Sequence, residues 1–274
     1  DSSKEKVAKC RAYVDKIIES GETVYGLNTG FGKFSTVNIP EENIAELQLN
    51  LIRSHSTNIG EPYSEVQTRA IMLLRIAVLA KGHSGIRLET LETLVQMLNK
   101  GIQPIIPMRG SVGASGDLSP LSHLALVLIG EGEAIYKGER LPGASAMQKA
   151  GISPVQLAAK EGLALNNGTQ VMTALGVLNL LEAERLCRYA DIIAAMSIDA
   201  LKGTPKAFDE LIHNLRPHPG QKISAKNIRT LLEGSPLRES HRNCGNVQDA
   251  YSLRCTPQVN GAVRDACSYV RGIL

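Results

Sequence analysis

Residues 166–201, NNGTQVMTALGVLNLLEAERLCRYADIIAAMSIDAL, decide the fold of this chain. Their apolar residues recur at helical spacing and no proline interrupts them, which predicts one continuous helix. At about 1.5 Å per residue this helix would be on the order of 50 Å long. A helix of that length needs long partners to bury its apolar face, so the stretch indicates a long helical bundle.

Helical patterns also dominate on both sides of this stretch. The spacing predicts helices over residues 2–20, from Pro40, after the capping box Ser64-x-x-Gln67, over 88–100, after Asp117, and over 247–274 with a kink at Pro257. Weak alternation at residues 133–141 predicts at most a small hairpin. The expected fold class is therefore mainly α, a long helical bundle with glycine-rich loops.

The chain reads as one N-terminal portion of a larger all-α subunit. Residues 1–165 are expected to form a loop-rich helical part, and residues 166–274 the start of the long bundle. The last helical pattern has no cap after Leu274. We therefore expect a C-terminal half beyond the 274 residues.

Composition excludes several classes of function. The chain has 30 Lys and Arg against 27 Asp and Glu, a net charge of +3 without a basic run, so neither nucleic acid nor an acidic membrane is an expected partner. Aromatic residues make up 4% with no Trp, which argues against a surface that binds by aromatic stacking. The core is expected to be aliphatic.

The cysteine pattern and the chain start indicate a cytoplasmic protein. Five cysteines without a CxxC pair fit reduced thiols rather than a disulfide framework. The charged start has no apolar region of a signal peptide, and the most apolar stretch, residues 70–80, is short and carries Arg75. The histidines lack ligand spacing, so no metal is expected.

The most informative loop is residues 110–123, GSVGASGDLSPLSH. Its glycines do not fit the dinucleotide fingerprint, no Gly-Lys-Ser/Thr follows as in a P-loop, and Ser115 is not flanked as in a nucleophile elbow. Local spacing alone leaves a flexible turn that leads into a helix N-cap at Asp117 as an open interpretation. Ala-Ser-Gly also permits unusual chemistry, because the Gly116 amide can approach the Ala114 carbonyl carbon. Cyclisation with loss of water, including the Ser115 hydroxyl, would leave an electrophilic methylidene group.

Four ordered motifs resemble those of the aromatic amino acid ammonia-lyases. They are YGLNTGFG at 25–32, GASGDLSPL at 113–121, KEGLALNNGTQ at 160–170 and QDAYSLR at 248–254. The resemblance implies a methylidene-imidazolone (MIO) prosthetic group made from Ala114, Ser115 and Gly116. It further implies a homotetramer that shares its active sites between subunits, with further site residues in the C-terminal half.

The resemblance also assigns catalytic and maturation roles. Asp117 resembles the acidic residue that aids maturation of the prosthetic group, and a plain N-cap stays open beside this role. Tyr25 resembles the loop tyrosine that acts in this family as a base or proton relay. A phenol has an ordinary pKa of about 10, so it needs help to do this near neutrality. Tyr251 would face the same side of a helix as Arg254, three residues later.

The remaining motif residues are expected to bind the substrate. Arg254 resembles the clamp for the substrate carboxylate, with Gln248 on the same helix face. Asn167 would hydrogen-bond the prosthetic group or substrate, with an N-cap of the long helix as the alternative. His55, preceded by Ser54, resembles the pair found in members that act on histidine.

The resemblance therefore implies non-oxidative elimination of ammonia from L-histidine to give urocanate. Tyrosine or phenylalanine as substrate, or an aminomutase reaction, are the alternatives within the family. The alternative from another class is an inactive helical fragment or scaffold without the prosthetic group.

Overall fold

The computed structural model describes residues 2–274, and these are mostly helical. The chain divides into two compact units, one up to Leu175 and one from Gly176 to Leu274. Each unit has its own buried cluster of apolar side chains. The predicted mainly α fold is confirmed.

The described residues contain thirteen α-helices. These are α1 (Ser2–Ser20), α2 (Glu41–His55), α3 (Glu65–Leu79), α4 (Leu88–Lys100), α5 (Leu118–Leu128), α6 (Gly143–Lys149), α7 (Glu161–Asn166), α8 (Gln170–Ala200), α9 (Glu210–Asn214), α10 (Pro219–Leu231), α11 (Pro236–Glu239), α12 (Tyr251–Arg254) and α13 (Thr256–Ile273). The capping box at Ser64 and Gln67 opens α3 as predicted. Within residues 2–274, none of these helices has both the length and the apolar character needed to cross a lipid bilayer.

Five short strands lie in the first unit. They are β1 (Ile59–Pro62), β2 (Gln103–Pro104), β3 (Pro107–Arg109), β4 (Glu133–Tyr136) and β5 (Glu139–Pro142). The predicted hairpin is present as the antiparallel pair β4–β5, and β2 extends it to three strands. The separate antiparallel pair β1–β3 was not predicted, because its strands of four and three residues are too short to show a periodicity.

Helix α5 lies at the centre of the first unit, where it packs against α2 and α7. Its apolar side chains Leu121, Leu124, Val127 and Leu128 are completely buried. Among the buried members of this described core, Tyr63 alone is aromatic. The expected aliphatic core is therefore confirmed, and it fixes the position of the loop that precedes α5.

The long helix begins later than the sequence predicted. Asn166 closes α7, Asn167 takes an extended conformation as its C-cap, and α8 runs for 31 residues from Gln170 to Ala200. The alternative of Asn167 as the N-cap of the long helix is therefore wrong. Residues 167–169 form a short turn, here named the α7–α8 link, which frees the Asn167 side chain for contacts elsewhere.

The second unit is organised around helices α10 and α13, which pack along each other. The stretch 247–274 is not one kinked helix, because the chain breaks at Cys255 between α12 and α13. Pro257 lies in the first turn of α13, where a missing amide proton costs no hydrogen bond. The proline therefore starts a helix rather than bending one.

Candidate active site

A cleft of about 300 Å³ lies in the first unit between the end of α2 and the loop before α5. Its lining residues are Ser54, His55, Thr57, Gly110, Val112, Ala114, Ser115, Gly116, Leu118 and Ser119. Residues 114–116, here named the Ala-Ser-Gly segment, thus share one cleft with His55. The fold brings together these two sequence features from positions about 60 residues apart.

The Ala-Ser-Gly segment has a backbone that only glycine permits at its end. Gly116 has a φ of +109°, and Gly113 just before the segment has a φ of +72°. A Cβ at Gly116 would lie 2.8 Å from the backbone nitrogen and oxygen of Gly168. A side chain at position 116 would therefore be strained and would also collide with the α7–α8 link.

The α7–α8 link holds both sides of Gly116. The Asn167 side-chain amide donates to the carbonyl oxygen of Ser115 at 2.6 Å. The Asp117 backbone amide donates to the Gly168 carbonyl oxygen at 2.7 Å. These two hydrogen bonds fix the peptide groups on either side of the residue whose amide would close the ring.

Asp117 is buried, and its carboxylate caps a different helix from the one expected. It stands at the N-cap position of α5, but its side chain makes no capping bond there. Its Oδ2 accepts from the backbone amide of Met172 in the first turn of α8 at 2.9 Å, and its Oδ1 accepts from Ser111 Oγ at 2.7 Å. Asp117 is thus the N-cap residue of α5 by position, as predicted, but its carboxylate satisfies an unpaired amide at the start of α8 instead of one in α5.

His55 is half-buried at the C-terminal end of α2, and its ring orientation is set locally. Its Nδ1 lies 2.9 Å from the carbonyl oxygen of Leu51 and 3.1 Å from Ser54 Oγ. A carbonyl oxygen can only accept, so Nδ1 carries the proton that it donates to Leu51. This tautomer leaves Nε2 as a hydrogen-bond acceptor.

Tyr25 lies in the same unit but outside the residues that line the cleft. Its side chain is 54% exposed, its hydroxyl oxygen accepts from the Gly32 amide at 3.2 Å, and its ring meets Phe31 edge-on. Gly26 next to it has a φ of +75°, and a Cβ there would lie 2.6 Å from the Leu163 side chain. The glycine-rich loop is therefore a tight turn that presents Tyr25 at the surface.

Gln248, Tyr251 and Arg254 lie in the second unit. Tyr251 and Arg254 share helix α12, and the Arg254 guanidinium lies 5.6 Å from the centre of the Tyr251 ring. Gln248 precedes this helix, so the prediction that it extends the helix face is wrong. Its side-chain oxygen, oriented towards the donors, accepts from Arg254 Nε at 3.1 Å and Nη2 at 2.6 Å. The three side chains form one cluster.

One network of polar residues near the cleft and one arginine were not predicted from the sequence. Ser119 Oγ donates to the side-chain oxygen Oδ1 of Asn58 and lies 3.2 Å from Thr57 Oγ1. The backbone amide of Asn58 donates to His123 Nε2. No pattern in the sequence indicated this chain of polar contacts. The other missed residue is Arg75, whose position inside the apolar stretch 70–80 was a usable signal of a buried charge.

Metal ligands are not grouped in the part of the chain that the structure describes. Within residues 2–274, no three side chains among His, Cys, Asp and Glu are placed to hold an ion.

The whole chain matches one family model. The model described as "Aromatic amino acid lyase" covers residues 1–274. The chain is 54% identical over 272 residues to the histidine ammonia-lyase of Caldanaerobacter subterraneus subsp. tengcongensis, covering 99% of this chain and 53% of that protein. It is also 54% identical over 273 residues to the histidine ammonia-lyase of Gloeobacter violaceus, covering 100% and 53%.

Solved structures of two similar proteins superpose on this chain. The phenylalanine aminomutase of Pantoea agglomerans superposes with a TM-score of 0.92 at 38% identity, over 99% of this chain and 56% of that one. The histidine ammonia-lyase of Trypanosoma cruzi superposes with a TM-score of 0.88 at 43% identity, over 100% and 50%. The chain spans about half the length of the curated relatives it matches.

Proposed function

Since the chain belongs to the aromatic amino acid lyase family, we propose that this protein acts as a histidine ammonia-lyase. It removes ammonia from L-histidine without oxidation and releases urocanate. The observation that carries this proposal is the single cleft lined by both His55 and the Ala-Ser-Gly segment. The names of its relatives in Caldanaerobacter and Gloeobacter support the choice of substrate.

The Ala-Ser-Gly segment fits a methylidene-imidazolone group. The ring would close by a bond from the Gly116 nitrogen to the Ala114 carbonyl carbon, with loss of one water, and the Ser115 side chain would lose a second. The left-handed Gly116, packed on Gly168, and the tethered Ser115 carbonyl favour such a bent backbone. When formed, the group supplies the electrophile that ordinary side chains lack.

Within this proposal, His55 recognises the substrate ring. Its Nε2 accepts a hydrogen bond from an imidazole N–H, because Nδ1 is committed to the Leu51 carbonyl. The apolar ring of phenylalanine offers no such donor. Asn167 holds the Ser115 carbonyl, and Asp117 fixes the segment against the start of α8.

The other motif residues bind the amino acid and move its proton. Arg254 pairs with the substrate carboxylate through two N–H groups, exchanging its contacts with Gln248 for those with the ligand. Tyr25 serves as base or proton relay, and Tyr251 is a second catalytic tyrosine, whose ring lies beside Arg254. We also propose a cytoplasmic homotetramer in which subunits share active sites, as the family resemblance implies.

The proposal is tested with purified protein, L-histidine and ultraviolet detection of urocanate. We expect urocanate together with an intact mass lower by two water molecules than the sequence mass. Ser115→Ala should abolish both, whereas Ser153→Ala, at an exposed serine of the same unit, should change neither. An unmodified mass and no product from histidine would refute the proposal.

Aromatic amino acids without an imidazole are the second candidate substrates, because the phenylalanine aminomutase superposes closely. The same assay with L-phenylalanine and L-tyrosine separates the two. Turnover of these in preference to histidine would overturn the role given to His55.

A further inference from the structure

Helix α3 carries a buried cation that the proposed reaction does not use. The Arg75 side chain is 2% exposed, and its burial lowers the pKa of the guanidinium to about 10. A buried charge is costly unless hydrogen bonds compensate it, so its partners should reveal its role.

The partners of Arg75 are all neutral, and all lie at or beside the α7–α8 link. Nη1 donates to Gln170 Oε1 at 2.5 Å, and Nη2 donates to the carbonyl oxygens of Ala164 and of Asn167, the latter at 3.0 Å. In the described residues no carboxylate forms an ion pair with this guanidinium. The guanidinium charge is therefore compensated only by hydrogen bonds to two backbone carbonyl oxygens and one side-chain amide oxygen.

Gly168 lies directly between Arg75 and the Ala-Ser-Gly segment. A Cβ at Gly168 would overlap Arg75 Nη1 and Gln170 Oε1. A Cβ at Gly116 would in turn meet the Gly168 backbone at 2.8 Å. Neither glycine therefore has room for a side chain, Gly168 because of the guanidinium and Gly116 because of the Gly168 backbone.

The hydrogen bonds continue along the same path. Arg75 holds the Asn167 carbonyl, the Asn167 side chain holds the Ser115 carbonyl, and the Gly168 carbonyl holds the Asp117 amide. A displacement of the α7–α8 link from the position that Arg75 holds would therefore disturb both bonds beside Gly116.

We propose that Arg75 is a positioning residue for formation of the prosthetic ring, acting through the α7–α8 link. The inference rests on the proposed function, because it concerns the ring that this function requires. Ring closure is an intramolecular attack, and such reactions depend steeply on how well the reacting atoms are held. Arg75 clamps the link that holds the peptide groups on both sides of the attacking Gly116 nitrogen.

The planar guanidinium suits this task better than an ammonium group. Two of its nitrogens reach a side-chain oxygen and two backbone carbonyls at fixed angles, and a single lysine nitrogen cannot span all three. Arg75→Lys therefore keeps the charge and removes the clamp. We expect ring formation to slow at least about tenfold, which corresponds to about 1.4 kcal/mol.

The experiment compares the fraction of dehydrated protein by intact mass over time after synthesis. Arg75→Lys and Arg75→Met are measured beside the matched controls Arg69→Lys and Arg69→Met. Arg69 lies on the same helix and also donates to a backbone carbonyl, that of Leu98 at 3.1 Å, but it is exposed. The Arg75 variants should lag in dehydration, and kcat should fall in proportion to the dehydrated fraction while KM stays near the wild-type value. The Arg69 controls should match the wild type.

A second variant separates positioning from folding. Gln170→Leu leaves Arg75 in place and removes only its contact at Nη1. Slower dehydration at an unchanged melting temperature supports the inference, even where Arg75→Met fails to fold. Full dehydration at the wild-type rate in both Arg75→Lys and Gln170→Leu would overturn it. Wild-type protein that never loses two waters would instead refute the proposed function.

Discussion

The buried carboxylate of Asp191 is predicted to be the most costly single charge to remove from the second unit. Asp191 on α8 is 1% exposed and accepts four hydrogen bonds from α10 and α13. The donors are Ser224 Oγ at 2.6 Å, Asn227 Nδ2 at 2.8 Å, Asn260 Nδ2 at 2.9 Å and Arg264 Nη2 at 2.5 Å. Burial alone would raise its pKa, but these hydrogen bonds and the Arg264 charge outweigh burial and hold the pKa below the usual value.

Asp191→Asn keeps the shape and removes half of this network. One oxygen is replaced by an amide nitrogen, which cannot accept the two hydrogen bonds that this oxygen received. A hydrogen bond to a charged group contributes about 1.5–3 kcal/mol. Removing one partner of a buried ion pair lowers the free energy of unfolding by about 3–5 kcal/mol. We therefore expect the free energy of unfolding to fall by about 3–5 kcal/mol.

Urea unfolding followed by far-ultraviolet circular dichroism measures this loss. The matched control is Glu184→Gln, because Glu184 also lies on α8 and pairs with Arg271 on α13 at 2.6 Å, but on the exposed surface. Exposed pairs are screened by water, so the control should change stability far less. Equal losses in the two variants would refute the claim that burial sets the energy.

The pH dependence gives a second check on Asp191. A carboxylate with a lowered pKa in the folded state contributes stability that is complete above its unfolded pKa of about 3.9. This contribution is lost as the pH falls through the lower folded pKa. The stability difference between wild type and Asp191→Asn should therefore be full at neutral pH and should narrow in strong acid; a constant difference would contradict the assignment.

Three further predictions concern the first unit. Gly116→Ala should leave the intact mass unmodified, because the new methyl group would lie 2.8 Å from the Gly168 backbone at a left-handed φ; complete dehydration would contradict this. Burial lowers the pKa of His123, whose Nε2 accepts from the Asn58 amide. Stability should thus fall as the pH drops from neutral through the unfolded value of about 6.5 towards the folded pKa, and His123→Gln, measured by urea midpoints, should lack this fall. His55→Leu should lower kcat/KM for histidine at least about tenfold relative to that for phenylalanine, since one specific hydrogen bond is lost, and unchanged histidine turnover would remove His55 from substrate recognition.

Elements with a long-range pattern were predictable from sequence. The helical spacing of residues 166–201 predicted α8 within a few residues, because 31 residues repeat the same signal. The alternation at 133–141 predicted β4 and β5. The pair β1–β3 could not be predicted, since its strands of four and three residues are too short to show a pattern of their own.

Side-chain partners were far less predictable than elements. Asp117 stands where an N-cap of α5 belongs, yet its carboxylate binds the Met172 amide at the start of α8. The spacing within one helix cannot show that another helix begins nearby with unsatisfied amides. The same limit applies to Gln248, because the helical pattern from residue 247 did not show that α12 begins only at Tyr251.

The two kinds of residues in the proposed site differ in how their positions are held, and the difference follows from what each has to do. The groups that would form the ring act on the chain itself, so their geometry has to be fixed before any substrate arrives. They are accordingly held by hydrogen bonds that run from the buried Arg75 through the α7–α8 link to the Ala-Ser-Gly segment, although Ala114, Ser115 and Asn167 are themselves exposed. Tyr25 and Tyr251 act on a substrate that has to enter and leave, and their rings are 54% and 72% exposed. Substitutions along this hydrogen-bonded path should therefore act on ring formation, whereas substitutions at the exposed tyrosines should leave the dehydrated mass intact and act on turnover alone.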